Sequence, residues 1–84
     1  MRWTVSILPQ AARQLAKLDR PIAKRVGEAI SSLGENPRPA GSKKLVGLDA
    51  WRIRVGDWRI IYQIRDDRLI VLVIRVGHRR DVYE

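Results

Sequence analysis

The 84-residue sequence predicts an α+β domain: an N-terminal strand, an antiparallel helical hairpin, then a three- to four-stranded, mainly antiparallel sheet. Three observations predict it. Apolar residues recur at helical spacing between Pro9 and Leu33, and from Lys44 onward they alternate with polar ones. Glycine and proline cluster between Gly34 and Gly41, where the period changes. A block of helices followed by a block of strands, rather than a repeated alternation of the two, puts the helices on one face of one sheet.

Residues 2–8 alternate around Trp3, Val5 and Ile7 and read as a short strand. Pro9 has a fixed φ that suits a first helical turn, and it opens a helix running to Leu18. Ala11, Ala12, Leu15 and Leu18 form its apolar face, with Arg13, Gln14 and Lys17 opposite. Asp19 is a suitable N-cap for a second helix with Pro21 in its first turn. The stripe of Ile22, Val26, Ala29, Ile30 and Leu33 ends at Gly34. The connection is so short that the two helices should pack as a hairpin.

The segment ENPRPAGS, 35–42, cannot continue either element and reads as an ordered loop. Lys44–Leu48 can form a short strand, and Trp51, Ile53 and Val55 alternate with Arg52 and Arg54. Gly56-Asp57 is a two-residue turn, after which Trp58–Ile64 returns. Asp66-Asp67 marks another reversal. The run LIVLVIRV, Leu69–Val76, is apolar on both faces and belongs inside the sheet.

Residues 1–84 form one domain at this length, with 45% apolar residues for a compact core. No cysteine is present, which removes disulfides, thiolate catalysis and the usual zinc frameworks; no metal or other cofactor is expected. The N-terminal MRWTVSILPQ lacks the apolar core of an export signal, and no apolar run approaches the roughly 20 residues that span a bilayer. A cytoplasmic protein without a membrane partner is expected. Seventeen Lys and Arg against nine Asp and Glu give a formal charge of +8, which favours a polyanionic partner, nucleic acid before acidic protein.

The hairpin register localises that charge. A two-residue loop at Gly56-Asp57 sets Val55 opposite Trp58, Arg54 opposite Arg59 and Arg52 opposite Ile61. Trp51, Ile53, Val55, Trp58, Ile60 and Tyr62 then share the face under the helices, and Arg52, Arg54 and Arg59 share the other. Like charges directly opposite one another cost on the order of a few tenths of a kcal/mol to 1 kcal/mol, so such a cluster is more readily explained by an anionic visitor. Guanidinium grips two phosphate oxygens at once and never loses its charge. The tail VGHRRDVYE adds His78, Arg79, Arg80 and Tyr83 immediately after the interior strand. Tyrosine can act as a base only where positive charge stabilises phenolate, and these arginines supply it.

The stretch WRIRVGDWRIIYQIRDDRLIVLVIRVGHRRDVY, with the N-terminal strand and helical hairpin, resembles the RelE branch of the RelE/ParE toxin superfamily of type II toxin–antitoxin systems. Its two signatures are an arginine hairpin, [YW]-R-[IV]-R-x-G-x-[YW]-R, and the ending V-G-H-R-x-x-V-Y. The resemblance implies a RelE-like microbial RNase fold and a metal-independent endoribonuclease that cleaves mRNA in the ribosomal A site. In that reaction the RNA 2′-hydroxyl attacks the adjacent phosphate.

It further implies that Arg59 stabilises the transition state, Arg79 acts as general acid and Tyr83 as general base. Arg52 and Arg54 would bind the RNA backbone. Lys43, Lys44, His78 and Arg80 are expected, outside the resemblance, as further RNA contacts. The tail is two residues shorter between the arginine and the tyrosine than in the best-known member, which bears on Tyr83 more than on Arg59. The implied partners are the ribosome, mRNA and a cognate antitoxin. That antitoxin would be acidic, would wrap the toxin with a helix, and would form a heterotetramer that binds operator DNA through the antitoxin. The other branch of the superfamily implies a different activity on the same fold, inhibition of DNA gyrase.

Overall fold

The computed structural model describes residues 2–78. In chain order the elements are β1 (Thr4–Ile7), α1 (Pro9–Ala16), α2 (Arg20–Ser32), β2 (Lys43–Lys44), β3 (Trp51–Val55), β4 (Trp58–Arg65) and β5 (Ile70–His78). The strands form one five-stranded sheet in the order β1-β5-β4-β3-β2. β1 lies parallel to β5, from Thr4 opposite Ile70 to Ile7 opposite Val73, and every other pairing is antiparallel. A parallel pair needs a long crossover, here supplied by the helices and the hairpin that separate β1 from β5 in the chain. Among the described residues no helix is long and apolar enough to cross a membrane.

The predicted element order holds, and the departures have local causes. α1 stops at Ala16, and Ala12 faces solvent instead of the core. Asp19 occupies the cap position of α2 without a side-chain hydrogen bond, so the fixed φ of Pro21 in the first turn does more for that start. β2 shrinks from the expected Lys44–Leu48 to Lys43–Lys44. Gly47 takes φ +75°, a left-handed conformation that ends the strand, and Val46 and Leu48 turn outward. At the β3–β4 turn only Gly56 has positive φ, +60°, which fits a type II′ hairpin.

The main core lies between the helices and one face of the sheet. Ala11, Val26, Ile30 and Leu33 meet Ile53, Ile60, Tyr62, Ile64, Val71, Val73 and Val76. A smaller cluster on the other face joins Leu45, Ala50 and Ile61 with Ile74. A β-bulge separates the two halves of the β4–β5 ladder. Tyr62 pairs with Val73, and an unbroken ladder would next pair Ile61 with Ile74 and Ile60 with Arg75. Instead Ile61 pairs with Arg75 and Ile60 with Val76, leaving Ile74 as the extra residue. The shift puts Val76 in the main core and turns Arg75 to the far face.

Tyr62 is fully buried and its hydroxyl donates to the Pro37 carbonyl at 2.7 Å, anchoring the 35–42 loop to the sheet. Burial pushes its phenol pKa up. Arg38 of the same loop makes two hydrogen bonds to Asp66, at 3.2 and 3.0 Å, and lies over the Trp51 ring. Those hydrogen bonds hold the Asp66 carboxyl below the usual aspartate range, although an exposed pair adds little stability. Tyr62→Phe is expected to cost about 1–2 kcal/mol, because it strips a buried carbonyl of its donor. Thermal unfolding followed by circular dichroism checks this, with an expected drop of roughly 4–16 °C for a domain of this size.

Candidate nucleic-acid interface

The far face of the sheet carries two rows of residues running across the strands. In the first, Arg54 of β3 pairs with Arg59 of β4, and Arg59 with Gly77 of β5. In the second, Lys43 of β2 pairs with Arg52 of β3, Arg52 with Ile61 of β4, and Ile61 with Arg75 of β5. Neighbouring strands lie about 4.8 Å apart and the rows about 7 Å apart, two residues along each strand. Five cations therefore occupy a small area. Paired residues point to the same side of a sheet, so the register predicted from the two-residue turn brings Arg52, Arg54 and Arg59 together.

These cations differ in exposure. Arg54 is open to solvent and Arg59 is half-buried. Arg52 is only 3% exposed, contrary to the expectation of an open polar face. The Nε atoms of Arg52, Arg59 and Arg75 are all shielded from water. With their stems held against the sheet, the guanidinium ends have few positions to choose from, which lowers the entropy lost when an anion is gripped. A cavity of about 530 Å³ opens beside β3 where β2 ceases to cover it, lined by Lys43, Arg52 and Arg54 from the sheet and by Ser32 and Gly41 across from it. Arg59 lies outside that lining. Among the described residues no group of three or more His, Asp or Glu gathers as a metal site would require.

Two of the expected RNA contacts lie elsewhere. Lys44 pairs with Trp51, on the helix-side face. His78 pairs with Trp58 on that same face, its ring meeting the indole edge to face at 5.4 Å, and lines a second cavity of about 430 Å³ with Arg25 and Asp57. Arg79, Arg80 and Tyr83 lie outside the described residues.

Arg75 was not expected on this face, because the sequence placed it within an interior strand. The available signal is the charge itself. One arginine inside LIVLVIRV would sit opposite Ile60 in the main core if the ladder were regular, and burying an isolated cation there is too costly. The ladder therefore has to shift before it.

The facing guanidiniums have a measurable consequence for stability. Replacing exposed Arg54 with a strand-favouring neutral residue removes the repulsion with Arg59, so Arg54→Thr is expected to stabilise the fold by about 0.5 kcal/mol and raise the melting temperature by roughly 2–4 °C. A lower melting temperature would show that the pair is held by favourable contacts instead.

Residues 5–83 match the family described as ParE toxin of type II toxin-antitoxin system, parDE. A putative RelE-like toxin protein of Escherichia coli is 34% identical over 88 residues, covering 99% of this chain and 92% of that protein. The chain belongs to the RelE/ParE toxin superfamily. Its α+β fold of two helices and a mixed sheet is that of RelE toxins in solved structures. In the toxin–antitoxin complex RelBE2 of Mycobacterium tuberculosis, the matching chain superposes on this RelE/ParE toxin with a TM-score of 0.82 at 31% identity, covering 93% of this chain and 99% of that one. The mRNA interferase toxin RelE of Escherichia coli strain K12 is 25% identical over 81 residues, covering 94% of this chain and 85% of that protein.

Proposed function

We propose that this RelE/ParE toxin is a ribosome-dependent endoribonuclease that cleaves mRNA in the A site and is neutralised by a cognate antitoxin. The observation that carries the reading is the pairing of Arg54 with Arg59 on a face shared with Arg52, an arrangement that costs stability and suits a phosphate diester. The mRNA interferase name of the Escherichia coli K12 relative supports it.

In the proposed reaction the 2′-oxygen of the message bonds to the adjacent phosphorus and the bond from phosphorus to the 5′-oxygen breaks. The products are a 2′,3′-cyclic phosphate and a free 5′-hydroxyl. Charge builds on the non-bridging oxygens of the pentacoordinate phosphorus, and a fixed guanidinium at Arg59 stabilises that state more than the ground state. Arg52 and Arg54 hold the flanking backbone, with Lys43 at the rim of the neighbouring cavity. Tyr83 takes the proton from the 2′-hydroxyl and Arg79 gives one to the leaving 5′-oxygen. No metal takes part in this scheme. The ribosome supplies much of the substrate orientation, so the isolated toxin is a poor RNase.

The partner that silences it is an acidic antitoxin that lays a helix over the basic surface. The two form a heterotetramer that binds operator DNA through the antitoxin. The RelBE2 complex supports an antitoxin partner.

In-vitro translation followed by primer extension on the message tests the activity. Cuts at A-site codons, abolished by adding the protein encoded next to the toxin, are the expected result. The match to the ParE family favours a second reading, inhibition of DNA gyrase. Intact message together with stalled gyrase and cleaved chromosomal DNA would establish that reading instead.

A further inference from the structure

The second row of the arginine face continues past β4 to Arg75, which stands across Ile61 from Arg52. β1 pairs with β5 only as far as Val73, so beyond that point the outer edge of β5 faces α1. Gln14 of α1 substitutes for the missing strand there, its Oε1 accepting the Val76 amide hydrogen at 2.7 Å. Between this edge and the end of α1 lies a hollow of about 240 Å³, lined in part by Lys17, Trp58, Arg75, Gly77 and His78. Lys17 is the C-cap residue of α1, where the carbonyl end of the helix favours a cation.

An arginine, a lysine and a tryptophan lining a small, mainly apolar hollow suit a base held within it and a phosphate at its charged edge, as in a single nucleic-acid strand. Position favours RNA over an acidic protein. Arg75 ends a row that begins with Lys43 and Arg52, and β3 and β5 are two strand spacings apart, roughly 10 Å. A backbone gripped at Arg52 and Arg54 covers that distance within a few nucleotides.

We propose that Arg75 and Lys17 form a second phosphate subsite, which binds a phosphodiester of the same message flanking the one that is cut. The inference rests on the message-cleaving reading. A second grip fixes the register of the strand, so the cleaved phosphate arrives at Arg59 already aligned.

The test uses ribosomes programmed with synthetic messages that carry one uncharged methylphosphonate linkage at successive positions around the cut. At one flanking linkage the neutral substitution is expected to lower kcat/KM of the wild-type toxin about tenfold, the worth of one charge-assisted contact, and to lower that of Arg75→Gln no further. Lys17→Gln, an exposed change that leaves the sheet untouched, is expected to be blind to the same linkage. Lys24→Gln on the exposed face of α2 should respond as the wild type does. Losses that simply multiply at every linkage, in both Arg75→Gln and Lys17→Gln, overturn the subsite while leaving the cleavage reading intact. A wild-type toxin that cuts no message overturns both.

Discussion

Arg59→Ala is expected to slow message cleavage about 10²- to 10³-fold and to leave the fold intact. Arg59 sits mid-sheet, between Arg54 on β3 and Gly77 on β5. It is therefore held by two neighbouring strands, and Gly77 adds no side chain beside it. Its half-buried stem fixes where the charge can go. Such a preorganised cation stabilises the developing charge without the reorganisation that water would need. Arg59→Lys keeps the charge and loses the planar fork, so a partial loss of about tenfold is expected. Single-turnover cleavage on programmed ribosomes checks both. A rate for Arg59→Ala within about threefold of wild type would remove Arg59 from the reacting phosphate.

Val76→Arg is expected to abolish native folding. Val76 lies in the core opposite Ile60, a position with no solvent exposure, so the change puts a cation where the bulge keeps Arg75 from falling. An unpaired cation in the core together with a lost valine costs on the order of 5 kcal/mol, comparable with the whole stability of a small domain. Urea unfolding followed by tryptophan fluorescence measures it. A cooperative transition at the wild-type midpoint would mean that the end of β5 contributes little to the core. Ile74→Ala is the companion change. It keeps the register and trims only the small far-face cluster, so it should cost about 1–2 kcal/mol at a partly buried site.

How much could be read in the sequence follows from which contacts are local. The pairing of Arg54 with Arg59 was legible because a two-residue Gly-Asp turn leaves the hairpin one register. The helix starts were legible from Pro9 and from Pro21 behind Asp19. The β4–β5 register was not, because the bulge at Ile74 depends on which residues the helices bring against the sheet. Arg75 was missed for the same reason. The burial of Arg52 was hidden too, since alternation assigns a face and says nothing of what packs over it. Lys44 and His78 follow alternation to the helix side once the register is known, although their charge and place in the chain suggest RNA contacts. Leu45–Leu48 fitted a strand pattern until Gly47 turned the chain.

The central claim is that Arg54 and Arg59 work as a unit on one stretch of message, Arg54 holding the backbone beside the phosphate that Arg59 stabilises. Single-turnover cleavage of ribosome-bound message by Arg54→Ala, Arg59→Ala and the double variant tests it most directly. Paired side chains that hold adjacent parts of one substrate are not independent, so the double variant should be far less impaired than the product of the two single losses, with a coupling of about 1–3 kcal/mol. Losses that multiply cleanly, or a wild-type chain that leaves every message whole, would contradict it.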